Sequence, residues 1–213
     1  MASSGMSAPN AVFPTDNLAE VPTLRLSLQA DAVDQPFLPW GGESKHWRIS
    51  RQKEFRGTWH FYVADKYFSA LRREPDLPMK TPAPTLVEPN FSLGDSTPHW
   101  LGLHEIGWKR WIARYWQSQG RRILVDLHVP EKFQLTNLIG VPTGWKAYAT
   151  RAAETRIADL ESEHMLAMAH AEASEPSELV FAVYGGGDRV RDWCRRRSAE
   201  WIPATGRSRP QIV

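Results

Sequence analysis

A chain of 213 residues that is 42% hydrophobic and 23% charged has the make-up of an ordinary globular domain and enough length to bury a full core. Lys and Arg number 26 against 24 Asp and Glu, a formal net charge of +2, so bulk charge does not mark a nucleic-acid binder and any such reading must rest on clustering. A single cysteine, Cys194, excludes an internal disulfide and any multi-cysteine zinc or iron–sulfur site made by this chain alone. The opening MASSGMSAPN lacks the basic and apolar regions of a signal peptide, and no apolar run approaches the roughly 20 residues that span a bilayer. A cytoplasmic protein with no membrane partner is expected.

Residues 1–22 are rich in Ala, Ser, Pro and Asn and are expected to form a flexible arm, followed by one domain over 23–205 and a tail over 206–213. Pro36, Pro39 and the Trp40, Gly41, Gly42 turn read as a surface-wrapping lead-in to a basic patch of Lys45, His46, Arg48, Arg51, Lys53 and Arg56. The first convincing strand covers 59–63 and ends at Asp65; a short helix beginning at Tyr67, Phe68 and Leu71 must stop at the prolines of 75–84. A second strand over 85–93 alternates Glu88, Asn90 and Ser92 onto one face. The next helix, 97–119, opens on a Thr97 cap and a first-turn Pro98. In it Trp108, Trp111, Ile112, Tyr115 and Trp116 make one stripe and Arg110, Arg114, Gln117 and Arg121 another; the aromatic stripe is expected to pack and the polar one to face water.

Gly120 ends that helix, and the apolar strand 123–129 places Asp126 and His128 side by side on one face near its end. A helical turn over 131–140, a strand over 145–151, a helix over 156–173, a strand over 179–184, the turn of Gly185, Gly186 and Gly187, a helix over 188–198 and a last short strand at 201–203 complete the chain. Strands alternating with helices imply an α/β fold: a mainly parallel sheet of repeated strand–helix units with right-handed crossovers. The ordered part falls short of the roughly 250 residues of a full eight-fold barrel, so an open or incomplete-barrel form is expected.

Parallel sheets hold ligands at the C-terminal ends of their strands. The residues this rule selects are Asp65, Asp126 and His128 as candidate catalytic groups, with Glu88, Asn90 and Thr150 as polar strand-end groups. Carboxylates beside a neutral imidazole also suit a divalent metal, although the spacing names no cofactor. The three glycines before a helix, with Arg189 and Arg191 close by, can expose backbone amides to a phosphate; Asp188, as an N-cap, would satisfy the same amides, and the segment lacks both the P-loop and GxGxxG spacings. Two basic groups, around Arg114 and around Arg189 to Arg209, are interleaved with Trp and Tyr, a mixture suited to phosphate contact and base stacking that solvated helix faces also show. Cys194 has no motif around it, and His164 and His170 are six residues apart, which does not place two ligands on one helix face.

The runs HFYVADKYF, VEPNFSL, KRWIARYWQSQGRRILVDLHV, GVPTGWKAYATR and VYGGG, taken in order, resemble a bacterial and phage family known only as domain of unknown function 4417. The resemblance spans residues 40–205 and implies a protein of phages, plasmids or other mobile elements, with no reaction attached. In that family the place of His128 often carries asparagine, which favours Asp126 within the pair. Asp65, Glu88, Asn90, Asp126, Thr150, Arg151 and the glycine turn all lie in the recurring runs. The leading expectation is a protein that engages nucleic acid or a nucleotide at the sheet's C-terminal edge. In that reading Arg151, Arg189 and Arg114 hold phosphate, Trp111 or Trp116 stacks on a base, and Asp65 with Asp126 holds a metal. The alternatives are an enzyme acting on a small phosphorylated or carbonyl substrate through the same acidic cluster, and a non-catalytic interaction module docking through its tryptophans.

Overall fold

The computed structural model describes residues 11–41 and 54–204. Seven strands form one sheet in sequential order: β1 Phe37–Pro39, β2 Thr58–His60, β3 Thr85–Val87, β4 Arg122–Asp126, β5 Ala147–Ala152, β6 Val180–Gly185 and β7 Glu200–Ile202. Every pairing is parallel, from Phe37 opposite Thr58 to Tyr184 opposite Ile202. The sheet curls into a nearly closed, barrel-like form with one unsealed seam between its edge strands. Across that seam Gln35 Nε2 donates to Glu200 Oε1 at 2.6 Å.

Strand β1 falls within the stretch expected to be a lead-in. Its sequence, FLP, has no room for alternation, and pairing with the Thr58–His60 strand, not local propensity, makes it extended. Helices α1 His99–Ser118, α2 Ile157–His170 and α3 Asp188–Arg196 follow β3, β5 and β6. The other crossovers within the described residues use 3₁₀ turns, at 65–67 and 69–72 where a short helix was expected, and at 131–133 and 136–138 between β4 and β5. Residues 11–22 touch the fold at their two ends, where Ala11 and Val21 are buried and Trp111 Nε1 donates to Ala11 O, while Val12 and Leu18 between them are exposed. The patch from Lys45 to Lys53 and the tail with Arg207 and Arg209 lie outside the described residues.

Helix α1 ends at a Schellman motif: Gly120, at φ +80°, donates to Gln117 O and Arg121 N reaches back to Trp116 O. At its start Pro98, not Thr97, is the N-cap; the Thr97 hydroxyl instead accepts from Gly94 N at 2.9 Å. The expected orientation of α1 holds only in part: Ile112 and Trp116 pack as expected, but the basic stripe does not face water. Lys109, Arg110, Arg114 and Gln117 are buried together with Ile106, Ile112, Ala113 and Trp116, whereas Trp108, Trp111 and Tyr115 are only partly covered. Charge patterning alone assigns the basic stripe to water because burying a charge is costly unless it is paired. Here the partners of Lys109 and Arg110 are Asp126 at the end of β4 and Glu88 just after β3, distant in sequence.

Candidate active site at the strand ends

Asp126 closes β4 and is fully buried. Its Oδ1 accepts from the Tyr62 hydroxyl at 3.1 Å and from His128 N at 3.0 Å. Its Oδ2 accepts from Asn90 Nδ2 and from Lys109 Nζ, each at 3.0 Å. Lys109 and Asn137 also donate to its backbone carbonyl, both at 2.9 Å, while its own N–H points at Glu88 Oε2 at 3.3 Å. Glu88, equally buried, pairs with Arg110, whose guanidinium also donates to Asn137 O and Ile139 O. Burial lifts the Glu88 carboxyl above its usual range, and Arg110 opposes that shift. Two ion pairs therefore sit back to back beneath the strand ends, joined through the backbone of Asp126.

Above them opens a cleft of about 600 Å³, lined by Asn90, Ser92, His128, Arg151, Arg156 and Glu163 among others. The polar half of this lining is set by topology. Asn90 follows β3, His128 follows β4, Arg151 ends β5, and Glu163 projects from α2, where Leu160, Glu163, His164 and Ala167 form the buried face. Glu163 is 4% exposed and accepts a hydrogen bond from the Thr150 hydroxyl. Burial pushes its carboxyl up to about 8, with the Thr150 bond and Arg156 pulling down and the Asp126 and Asp159 charges pushing up. His128 Nδ1 lies 3.9 Å from Glu163 Oε1, too far for a direct hydrogen bond and close enough for one intervening oxygen. Burial lowers the imidazole below its ordinary value; Asp126 opposes this, while Arg151, Arg156 and Lys109 add to it. At neutral pH the cleft thus presents a protonated carboxyl and an unprotonated imidazole.

The structure brings Asp126, His128, Glu88, Asn90 and Thr150 into one neighbourhood, with Arg151 at the rim. Asp126 and Glu88 lie under the cleft and do not line it. Asp65 is nearby but engaged: its carboxylate accepts from Ser92 N at 3.1 Å and Ser92 Oγ at 2.7 Å, anchoring the loop that forms one cleft wall. Arg114 is elsewhere, 96% covered, with its guanidinium 4.7 Å over the Phe13 ring. Trp116 is fully buried against Phe61, so it has no face for a base, and Trp111 is stacked on Tyr115. Among the described residues no group of three or more His, Cys, Asp and Glu is gathered to hold a metal ion.

At the glycine turn, Gly185 and Gly186 take positive φ. The N-cap of α3 is Gly187, not Asp188, which pairs instead with Arg191 at 3.1 Å. The carboxylate at this turn belongs to Glu154, with Arg189 N 3.4 Å from its Oε1. Sequence reasoning passed over Glu163, Tyr62 and Arg156, and counted Lys109 only within a basic surface group. The usable signal was an acidic residue on the apolar face of α2, three positions after Leu160 and four before Ala167. His60 was missed too: buried and stacked on Phe37, it accepts Tyr62 N at Nδ1, and its Nε2 has no partner among the described residues.

A nearly closed parallel barrel with a polar cleft at its strand ends defines the class. In comparison with known proteins, residues 13–146 match the domain of unknown function DUF4417, and the chain belongs to that family. The match ends ahead of Arg151, Glu163 and the glycine turn. The "Gene 1 protein" of Mycobacterium phage D29 is 27% identical over 140 residues, taking in 62% of this chain and 48% of the phage protein, so the chain matches about half of that relative. No solved structure gives a significant match. Among the described residues no helix is long and apolar enough to cross a membrane.

Proposed function

We propose that the chain binds a small phosphate-bearing molecule, of nucleotide size, in the strand-end cleft and catalyses proton transfer on it. The observation that carries this reading is the approach of His128 Nδ1 to within 3.9 Å of the buried Glu163 carboxyl, in a cleft that two arginines also line. Arg151 and Arg156 supply the anion contacts, Glu163 gives a proton to a departing or developing oxygen, and His128 accepts one from the attacking group. Asp126, Asn90 and Tyr62 hold the His128 segment in place. A volume near 600 Å³ lies within the range of small-molecule sites.

The nucleic-acid reading keeps one supporting feature, the exposed arginines of α3, Arg189, Arg191, Arg195 and Arg196. Around α1 the basic residues are consumed internally, by Glu88, Asp126 and Phe13. A bounded anion site is therefore favoured over an extended phosphate track.

Titration with inorganic phosphate and then nucleoside monophosphates, following the His128 ring resonances by NMR, tests the proposal. Saturable shifts are expected in the wild type, weakened in Arg151→Ala and Arg156→Ala. Absence of any saturable shift at low salt would end it.

A further inference from the structure

The β5–α2 loop, which carries Arg156 and follows directly on Arg151 near the end of β5, is fastened to the glycine turn by one side chain. Glu154 lies between Arg151 and Arg156 in sequence and extends away from the cleft to the start of α3, where its Oε1 faces Arg189 N at 3.4 Å. Gly187 is what admits it. A Cβ on Gly187 would collide with the Glu154 carboxylate, and the glycine has φ −120°, so its smallness and not its backbone freedom is in use. Gly186 differs: it has φ +67°, and a Cβ there would strike Val190. Next to this contact the two segments are also zipped through the sheet, with Ala152 opposite Gly185.

From this geometry we infer that Glu154 is a positioning residue: seated against the Gly187 turn, it fixes the loop that carries Arg156, and the strand end before it with Arg151, in the cleft wall beside His128. The inference rests on the cleft reading for its functional meaning, but its physical content concerns the free protein. A carboxylate at a helix N-terminus is favourably placed against the unpaired amides there. The turn singled out for a phosphate thus holds an internal carboxylate, and its bearing on anion binding runs through the neighbouring loop. The arginines' presence is legible at His128, whose imidazole faces Asp126 as an opposite charge and Arg151, Arg156 and Lys109 as like ones, with the Glu163 carboxyl 3.9 Å away. Glu154 itself is not among the groups acting on it.

Two substitutions unseat the same contact from opposite sides. Glu154→Ala removes the carboxylate. Gly187→Ala displaces it, at little cost to the fold because only the far end of a flexible side chain has to move. The experiment is an NMR titration of His128 in ligand-free wild type, both variants and Arg156→Ala, with a thermal melt of each to check folding. If Glu154 holds the arginines, the His128 midpoint rises by a few tenths of a pH unit in both latch variants and in Arg156→Ala, because like charges have moved away. Loss of a nearby negative charge alone would lower it. A midpoint unchanged or lowered in both latch variants overturns the inference, and so does an unchanged midpoint in Arg156→Ala, which removes its premise. Phosphate titration of the same samples separates the two readings. A midpoint that moves in a wild-type background that binds no phosphate keeps Glu154's role and ends the cleft function; phosphate bound equally by all, with an unmoved midpoint, does the reverse.

Discussion

Two clusters of buried charge lie close together at the strand ends, and they differ in how completely they are paired. In the lower one, Lys109 with Asp126 and Arg110 with Glu88, every ionic group meets an opposite charge and the remaining hydrogen-bonding capacity goes to Tyr62, Asn90, Asn137 and the backbone. In the upper one, Glu163 has a hydroxyl and a distant imidazole, and Arg151 stands exposed at the rim. Complete pairing makes a charge architectural, because neither protonation nor a ligand has anything to gain there. Incomplete pairing leaves groups whose protonation is set by burial and whose hydrogen bonds await a partner, which is the condition for binding and proton transfer.

The comparison breaks most readily in the lower cluster. Arg110→Met leaves Glu88 buried without its cation, and a loss of about 3–5 kcal/mol in urea unfolding is expected. Replacing both at once, Arg110→Met with Glu88→Leu, should recover most of that loss, because no unpaired charge remains. A double variant as unstable as the single one would mean that packing at Ile139 and Asn137, and not charge pairing, is what Arg110 supplies.

The upper cluster should announce itself through pH. Unfolded, Glu163 ionises near the ordinary carboxylate value of about 4.3; folded, it holds its proton to about 8. Between these values the folded state binds more protons than the unfolded one, so stability falls as pH rises and levels off above the folded value. The folded state therefore carries a penalty on the order of 3 kcal/mol at neutral pH relative to pH 4. Glu163→Gln, which cannot ionise, should flatten this limb and be the more stable protein at pH 8. Because His60 and His128, lowered by burial, tilt the profile the other way below about pH 6.5, the test is the difference between the two proteins: a wild-type minus Glu163→Gln difference that stays flat from pH 5 to 8 would show that Glu163 is ionised and unfit as an acid. At the cleft rim the effects are smaller: Arg156→Ala should weaken phosphate binding about five- to tenfold, some 1 kcal/mol, with thermal stability nearly unchanged.

How much of this was readable beforehand depends on the range of the determining contacts. Periodicity and punctuation located β4, β5, β6 and all three helices, because an apolar run bounded by glycine or proline is a local signal. The mainly parallel sheet followed from their alternation, while chain length left an open and an incomplete-barrel form both standing, of which the sheet takes the barrel-like one. The strand-end rule led to Asn90, Asp126, His128 and Arg151, since position in a parallel sheet is itself determined by that pattern. The failures are nonlocal. The basic stripe of α1 was misplaced because Arg110 and Lys109 look solvated until Glu88 and Asp126, 22 residues before and 17 after, arrive beside them. β1 was invisible because three residues carry no period. Glu163 reads as a surface acid until the fold brings α2 over the ends of β4 and β5.

The smallest effect expected separates the cleft from the remaining basic surface. On α3, Arg195 pairs with Asp192 at 2.8 Å across one helical turn, and the two side chains are 73% and 49% exposed. Solvent screens such a pair, so Arg195→Ala should change stability by no more than a few tenths of a kcal/mol. Its use is as a test of partner. If the cleft alone receives the ligand, Arg195→Ala combined with Arg196→Ala leaves phosphate affinity as in the wild type, and a salt series with duplex DNA shows the same shallow dependence for both proteins. If instead α3 lies along a nucleic acid, the double variant should weaken DNA binding and lower the slope of log K against log salt by about 0.9 for each phosphate that is no longer neutralised. The charges that matter for recognition would then be those the fold leaves outside, and the half-paired groups of the cleft would need another explanation.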